Sequence, residues 1–123
     1  MHEWSFARKL LQQATGICHA NGARHCLEVR VQIGPLSGIE ATLLESAFEQ
    51  LASDHELAPT RLVIERTPLV VRCRDCAAES ELSDFDFYCR LCGGRAVQVV
   101  AGDQLQLVSV TVDDAALMIK GTT

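Results

Sequence analysis

Two groups of residues in this chain have the types and spacing that metal chemistry requires. The first is a pair of Cys-x-x-Cys motifs, which contain Cys73, Cys76, Cys89 and Cys92. Each motif brings two thiolates close enough to share one ion, and the two motifs together complete a tetrahedral four-thiolate site. The spacing indicates zinc, with iron as the alternative, because four thiolates suit either metal. A closed four-thiolate shell leaves no position for a substrate, so we expect a role that is structural, or regulatory through the shape of the protein.

The second group is the amino terminus, Met1-His2-Glu3. An α-amino group has a pKa of about 7.7–8 and an imidazole is largely neutral at pH 7, so both can donate nitrogen to a metal. The Met1 amine, a backbone amide and the His2 imidazole would form fused chelate rings, with the Glu3 carboxylate balancing charge or acting as an alternative ligand. Planar nitrogen donation suits Ni(II) or Cu(II) better than zinc. An amino-terminal histidine is also common as a plain solvated residue, and the motif alone leaves both interpretations open.

Composition and charge limit the classes of protein to which the chain can belong. Its 123 residues, 48% of them apolar, fit one packed domain or one domain with a small appendage. No apolar run reaches the roughly 18 residues of a membrane span, and the start lacks an export-signal pattern. We therefore expect a cytoplasmic protein without membrane insertion, in which the six cysteines stay reduced. A net charge of −5 argues against non-specific binding to nucleic acid.

The first half of the chain contains the periodicities of two helices and one strand. Residues 4–21 predict an amphipathic helix that ends at Asn21-Gly22, and its apolar stripe makes Cys18 a core residue. Residues 26–33 predict a half-buried strand that turns Leu27 toward the core and Cys26 toward the polar side, where we expect no ligand role. Ser37-Gly38-Ile39-Glu40 fits a capping box, and the helix after it has one apolar face: Ile39, Leu43, Leu44, Ala47, Phe48 and Leu51.

The second half predicts two further strands around the cysteine segment. One strand lies near residues 61–71, where Pro68 marks an edge or a strand end. The last strand, near residues 103–112, changes phase, which a bulge or burial on both faces would explain. These elements predict an α+β fold, with a small three-stranded sheet, two helices packed on it and an inserted zinc-ribbon subdomain. We predict an α/β domain from residues 1–71 and 97–113, and a ribbon domain from residues 72–96.

Several of these features together resemble one known family. Met1-His2-Glu3-Trp4-Ser5, the Gly34-Pro35-Leu36-Ser37 turn and the Gly102-Asp103-Gln104-Leu105 entry to the last strand are similar to the signature of the HypA/HybF family of hydrogenase nickel-incorporation proteins. Glu40, Phe48 and the paired cysteines match it as well. The resemblance extends to about residue 113.

The resemblance implies a cytoplasmic nickel metallochaperone. In that family the amino terminus carries nickel, which here implies Met1 (backbone amine), His2 and Glu3 in the α/β domain. The four cysteines hold zinc, which implies Cys73, Cys76, Cys89 and Cys92. The implied partners are a nickel-binding GTPase accessory protein and the precursor of the [NiFe]-hydrogenase large subunit, and some members also serve urease.

One departure from the family pattern is visible. Some relatives place histidines beside the zinc knuckles, whereas this chain has no histidine after His55, so a signal routed through such histidines is not expected here.

Two other classes of protein compete with the chaperone interpretation. A zinc-ribbon adaptor would bind another macromolecule without transferring nickel. Nucleic acid is a poor partner for it, since the arginines of the ribbon are interspersed with acidic residues: Arg72, Arg74, Arg90 and Arg95 against Asp75, Glu79, Glu81, Asp84 and Asp86. A small redox enzyme would use a Cys-x-x-Cys motif directly. The chain contains no convincing Ser/His/Asp constellation, so we predict that it is not an enzyme.

Overall fold

The structure is a computed structural model that describes residues 2–54 and 60–113, together with the backbone of a strand at 115–118. Its elements are two helices and seven strands: α1 (His2–Ala20), β1 (Cys26–Ile33), α2 (Ala41–Ser53), β2 (Arg61–Arg66), β3 (Leu69–Cys73), β4 (Glu79–Leu82), β5 (Val97–Ala101), β6 (Leu105–Val112) and β7 (Ala115–Met118). Neither helix in the described ranges has the length and apolar character needed to cross a membrane.

The strands form two sheets, and both helices pack on the first. That sheet has the order β2-β1-β6-β7, with β1 and β2 parallel and the other neighbours antiparallel. Helix α2 makes the crossover that a parallel pair needs. The main core lies between this sheet and the helices, around Leu10, Val29, Val31, Phe48 and Val110. The predicted α+β class is confirmed, and β7 adds a fourth strand to the three that were predicted for this sheet.

Helix α1 matches its prediction, since its apolar stripe is buried over five positions: Ala7, Leu10, Leu11, Ala14 and Cys18. Helix α2 differs from its prediction at its start. Its N-cap is Glu40, whose carboxylate accepts hydrogen bonds from the backbone N–H groups of Thr42 (3.2 Å) and Leu43 (2.9 Å). The predicted Ser37 capping box is therefore wrong, and Ser37 Oγ accepts from the N–H of Ile39 instead. Leu43, predicted on the apolar face, is 54% exposed.

The start of β1 reverses the predicted burial of two residues. Cys26 is 1% exposed and Leu27 is 41% exposed, the opposite of the expectation from simple alternation. The pairing of β1 with β6 shifts register between Cys26 and Glu28, and such a bulge turns the preceding side chain to the other face. Burial, together with the neighbouring Cys18 thiol, raises the pKa of Cys26 to about 12. Cys26 is therefore a neutral thiol of the core, next to the buried Cys18.

A second register shift, between Arg30 and Val31 of the same strand pair, leaves one residue of β6 without a partner and confirms a bulge in the last strand. The predicted single strand at 61–71 is divided at Thr67-Pro68 into β2 and β3, because proline cannot continue the ladder. The two halves belong to different sheets. The second sheet has the order β4-β3-β5 and is antiparallel throughout.

The second sheet spans residues 69–101, so it reaches past the predicted ribbon segment 72–96 at both ends. It has a small core of its own, formed by Leu69, Val71 and Leu82 with Phe87, Tyr88 and Val97 packed against it. The division of the chain into domains at residues 71 and 97 stays a prediction, and the strand pairing favours bounds near residues 68 and 102.

Four residues join the two sheets, and we call Gly34, Thr67, Gly102 and Gln104 the sheet junction. The N–H of Gly34 donates to the carbonyl of Gln104 at 2.8 Å. The side-chain oxygen of Gln104 accepts from the N–H of Gly102 (2.8 Å) and from Thr67 Oγ1 (2.9 Å). Gly34 must be glycine, because a Cβ there would lie 2.2 Å from the carbonyl oxygen of Gly102.

Candidate metal sites

The two cysteine knuckles have the same backbone hydrogen bonds. In the first, the N–H of Cys73 donates to the carbonyl of Ala78 (2.9 Å) and the N–H of Ala77 donates back to Cys73 (3.0 Å). In the second, the same two bonds join Cys89 to the carbonyl of Gly94 and the N–H of Gly93 to Cys89, both at 2.8 Å. The repeated turn places each pair of sulfurs on the same side of its loop.

The residue that follows each second cysteine has a left-handed backbone conformation. It is Gly93 in the second knuckle, with φ +76°, but Ala77 in the first, with φ +64°. An L-residue with a Cβ pays roughly 1–2 kcal/mol for this conformation, and such strain persists only where the surroundings hold the turn in place. An ion coordinated by Cys73 and Cys76 would hold this turn, and with it Ala77, in place.

The sulfurs of the four predicted ligands converge on one point. All four Sγ atoms lie within 4.8 Å of one another, and Cys73–Cys92 and Cys76–Cys89 are each 3.6 Å apart. Sulfurs bound tetrahedrally at 2.3 Å from zinc would be separated by about 3.8 Å. A disulfide needs about 2.05 Å, so these are thiol contacts. The four sulfurs are therefore placed to bind one metal ion as thiolates, and no other such cluster occurs among the described residues.

The backbone favours the metal-binding thiolate form at one sulfur of the cluster, that of Cys89. The pKa of Cys89 is lowered to about 6, because the backbone N–H groups of Cys92 and Leu91 donate hydrogen bonds to its sulfur. Cys92 N lies 3.5 Å from that sulfur. At the other two shifted thiols a backbone N–H lowers the pKa, but hydrogen bonds with the neighbouring cysteines outweigh it, so the pKa of Cys92 is raised and that of Cys76 is raised to about 12. Cys73 and Cys89 are buried, whereas Cys76 and Cys92 face solvent, so an ion can reach the cluster from one side.

The second sheet has only a small apolar core, so a bound metal would add substantially to the stability of the knuckles. Phe85 is 60% exposed and Leu91 is 76% exposed, so neither adds to the core formed by Leu69, Val71 and Leu82. A structural zinc ion contributes about 10–16 kcal/mol to the folding of a small domain. The cluster is therefore the main stabilising element available to this part of the chain.

The amino-terminal residues lie beside an open groove of about 430 Å³. His2, the first residue of α1, is exposed and lines this groove together with Phe6, Ile39 and Leu105. The imidazole is therefore accessible to a metal and to a partner protein. Met1, the third proposed donor residue, lies outside the described residues.

Glu3 is buried next to this groove, with 6% of its surface exposed. Its Oε2 accepts a hydrogen bond from the backbone N–H of Glu40 at 2.9 Å, which ties the first turn of α1 to the residue that caps α2. The pKa of Glu3 is lowered to about 2, first by a hydrogen bond from the chain's amino terminus and then by the bond from Glu40. The carboxylate is therefore ionised at neutral pH and held at the amino-terminal end of the helix.

The comparison with known families decides the identity of the chain. Residues 1–112 match the family model described as "Hydrogenase/urease nickel incorporation, metallochaperone, hypA". This chain belongs to the HypA family.

Curated relatives and solved structures of HypA proteins agree with this assignment. The "Hydrogenase maturation factor HypA" of Nitrosospira multiformis is 39% identical over 89% of this chain and 96% of its own length. The protein of the same name from Geotalea uraniireducens is 38% identical over 92% of this chain and 100% of its own length. The structure described as "Solution structure of HypA protein" covers 94% of this chain and 98% of its own, at 25% identity and a TM-score of 0.69. The solution structure of the nickel metallochaperone HypA from Helicobacter pylori shares the fold, with a TM-score of 0.59. It is 24% identical and covers 88% of this chain and 94% of its own.

The Cys-x-x-Cys spacing alone predicted the sulfur cluster of this HypA-family chain, but no sequence pattern predicted the contacts around the amino terminus. The contact between Glu3 and Glu40 joins residues 37 positions apart, and no local pattern predicts it. In the sequence, Glu40 is recognisable only as a residue of the family signature and of the predicted capping box. Two other histidines are exposed outside this site: His19 lies in the last turn of α1 and His25 just before β1, and His55 lies outside the described residues.

The reactivity of the six cysteines provides a direct check on this arrangement. In the native, metal-loaded protein we expect no rapidly reacting thiol, because four are metal-bound and Cys18 and Cys26 are buried. A strong chelator should expose four thiols to Ellman's reagent, and denaturant should expose all six. Two rapidly reacting thiols in the untreated protein would instead favour a redox Cys-x-x-Cys enzyme.

Proposed function

We propose that this HypA-family chain is a metallochaperone that binds one Ni(II) at its amino terminus and releases it during maturation of [NiFe]-hydrogenase. The donors are the amine of Met1, a backbone amide and the imidazole of His2, with Glu3 contributing to the site. The observation that most directly supports this proposal is the position of His2, which is exposed at the edge of an open groove. The neighbouring Glu3 carboxylate is held by a hydrogen bond from the N–H of Glu40.

Release follows from the position of the site at the end of a chain. Chain ends are accessible to partners, and planar nitrogen donation leaves both axial positions of nickel open to an incoming ligand. A ligand from the acceptor protein can then replace the donors one at a time, so the ion never becomes free. The negative charge of Glu3 favours binding of a divalent cation beside His2.

The cysteine cluster has a separate, permanent role in this proposal. Cys73, Cys76, Cys89 and Cys92 hold zinc, which closes the two knuckles and orders the second sheet. Four thiolates occupy every position of a tetrahedral ion, so no substrate can bind to it, and we propose that the protein is not an enzyme.

The proposed partners are a nickel-binding GTPase accessory protein and the precursor of the [NiFe]-hydrogenase large subunit, or a urease in its place. The names of the relatives and the family description support a role in maturation. Nucleic acid is not proposed as a partner, because Arg72 pairs with Glu79 and Arg95 pairs with Asp86 on the ribbon. A cytoplasmic location remains a prediction.

An adaptor without nickel transfer is the second candidate. It is favoured by the exposed apolar side chains of Phe85 and Leu91, which lie on the ribbon, away from the core of the second sheet. Such side chains are typical of surfaces that bind another protein. The adaptor would keep its zinc but would have no specific nickel site.

Nickel titration of the protein with an unblocked first residue distinguishes the two candidates. We expect one nickel per chain, with the absorption of a square-planar nitrogen complex and no loss of zinc from the same sample. A matched protein acetylated at the Met1 amine has an amide in place of that amine and no new free amine, and it should lose this spectrum and most of the affinity. Equal binding by the two proteins would contradict the proposed site, and absence of nickel binding by both would favour the adaptor.

A further inference from the structure

The groove that contains His2 is bounded on one side by residues 34–40, which we call the 34–40 loop. Three of the residues that line the groove beside His2 belong to this loop: Ser37, Gly38 and Ile39. Its last residue, Glu40, donates the hydrogen bond that holds Glu3. The position of the loop therefore sets both the wall of the groove and the placement of the Glu3 carboxylate.

The other end of the 34–40 loop is held by the sheet junction. The N–H of Gly34 donates to the carbonyl of Gln104 at 2.8 Å, and the N–H of Leu36 donates to the carbonyl of Gly102 at 2.7 Å. Gly102 and Gln104 lie between β5 of the second sheet and β6 of the first. The same short segment thus contacts the connection between the sheets at one end and the amino-terminal site at the other.

The side chain of Gln104 organises this connection. Because the backbone N–H of Gly102 can only donate, the side-chain atom that faces it must be the amide oxygen. The same oxygen accepts from Thr67 Oγ1, so one atom joins both segments that pass between the sheets. Leu105, the next residue, lines the groove directly.

We propose that Gln104 is a positioning residue for the amino-terminal nickel site, acting through Gly102, the 34–40 loop and the hydrogen bond from Glu40 to Glu3. The inference rests on the proposed function for its nickel consequence, and the structural consequence holds without nickel. Loss of the side-chain oxygen lets the Gly102 carbonyl and the loop bound to it shift, which displaces Glu40 and with it the Glu3 carboxylate. The orientation of the second sheet and the geometry of the nickel donors are thereby linked at one residue.

Three substitutions on β6 and its entry test this role. Gln104→Ala removes the acceptor, whereas Gln104→Glu keeps an oxygen that both donors can reach. Gln106→Ala is the matched control, because Gln106 lies two residues further along the chain, within β6, and its side chain donates to Gln32, away from the junction. For each zinc-loaded protein we would measure nickel affinity by calorimetry. We would also record the amide signal of Glu40 and the ring signals of His2 by NMR without nickel.

We expect Gln104→Ala to bind nickel roughly 10-fold more weakly, the usual effect of losing a group that orients a ligand, and to shift the Glu40 and His2 signals. Gln104→Glu should restore both, and Gln106→Ala should resemble the wild type. Unchanged Glu40 and His2 signals in Gln104→Ala would overturn the inference, as would equal shifts in Gln106→Ala. If the wild type itself binds no nickel at its terminus, the proposed function fails, and the NMR signals still decide whether Gln104 positions the site.

Discussion

His2→Ala is expected to abolish stoichiometric nickel binding and to leave the fold and the cysteine-bound metal unchanged. The imidazole is the only side-chain nitrogen among the proposed donors, and without it the fused chelate rings cannot close. We expect the dissociation constant to rise by about 100-fold or more, which corresponds to roughly 2.8 kcal/mol. Calorimetry with nickel, beside zinc analysis of the same sample, measures the effect.

The stability of the His2→Ala protein should be close to that of the wild type. His2 is exposed at the first position of α1, and substitutions at such sites usually change the free energy of unfolding by less than about 0.5 kcal/mol. His19→Ala is the matched control, since it removes an exposed histidine from the other end of the same helix. Unchanged nickel affinity in His2→Ala, or equal losses in both variants, would remove the amino-terminal site from consideration.

Cys73→Ala is expected to cost the protein its cysteine-bound ion and to unfold the second sheet, while the first sheet and its helices survive. Cys73 ends β3 and contributes one of four convergent sulfurs. Loss of a structural zinc removes most of its roughly 10–16 kcal/mol of binding free energy from the local fold. The first core contains no residue of the second, so it has its own source of stability.

Metal analysis and a two-dimensional NMR spectrum test this expectation together. Signals from the predicted ribbon segment 72–96, and from β3 and β5 beside it, should lose dispersion, whereas those from α1, α2 and β1 should stay near their native positions. Cys26→Ala is the control, because it removes a buried cysteine of the first core and should keep the ion. Native shifts throughout the ribbon in Cys73→Ala would show that sulfur coordination is not what orders it.

Local patterns predicted most of the elements of this fold. The apolar stripe of α1 could be predicted because a helix repeats every 3.6 residues. The residues that are buried in the structure lie at the positions that this repeat places on one face. The break at Pro68 was also readable as a strand end, since proline removes a ladder hydrogen bond. The sequence did not show that the chain changes sheets there, because the choice of partner for β3 depends on β4 and β5, which lie farther along the chain.

The errors occurred where a residue's surroundings come from distant segments. Simple alternation turned Cys26 outward, but a bulge in its pairing with β6 places it in the core beside Cys18. The capping box favoured Ser37, but Glu40 caps α2 with its own carboxylate while its N–H is bound by Glu3. At Cys26 the pairing of β1 with β6 overrode the local alternation. At α2 the cap itself is local, through Thr42 and Leu43, and the bond from the Glu40 N–H to Glu3 is the long-range contact.

The sequence by itself determined which residues are candidates to bind metal, and the tertiary structure decided how the two candidate regions are connected. Cys-x-x-Cys spacing is a local property, because a single turn brings its two sulfurs together, and the amine and imidazole of Met1 and His2 are neighbours along the chain. Their family was recognisable for the same reason. The placement of His2 beside the 34–40 loop, and the contacts of Gln104 with Gly34, Thr67 and Gly102, arise only when separate strands and loops pack together. Hydrogen bonds between distant residues form as a consequence of that packing, so no pattern along the chain encodes them.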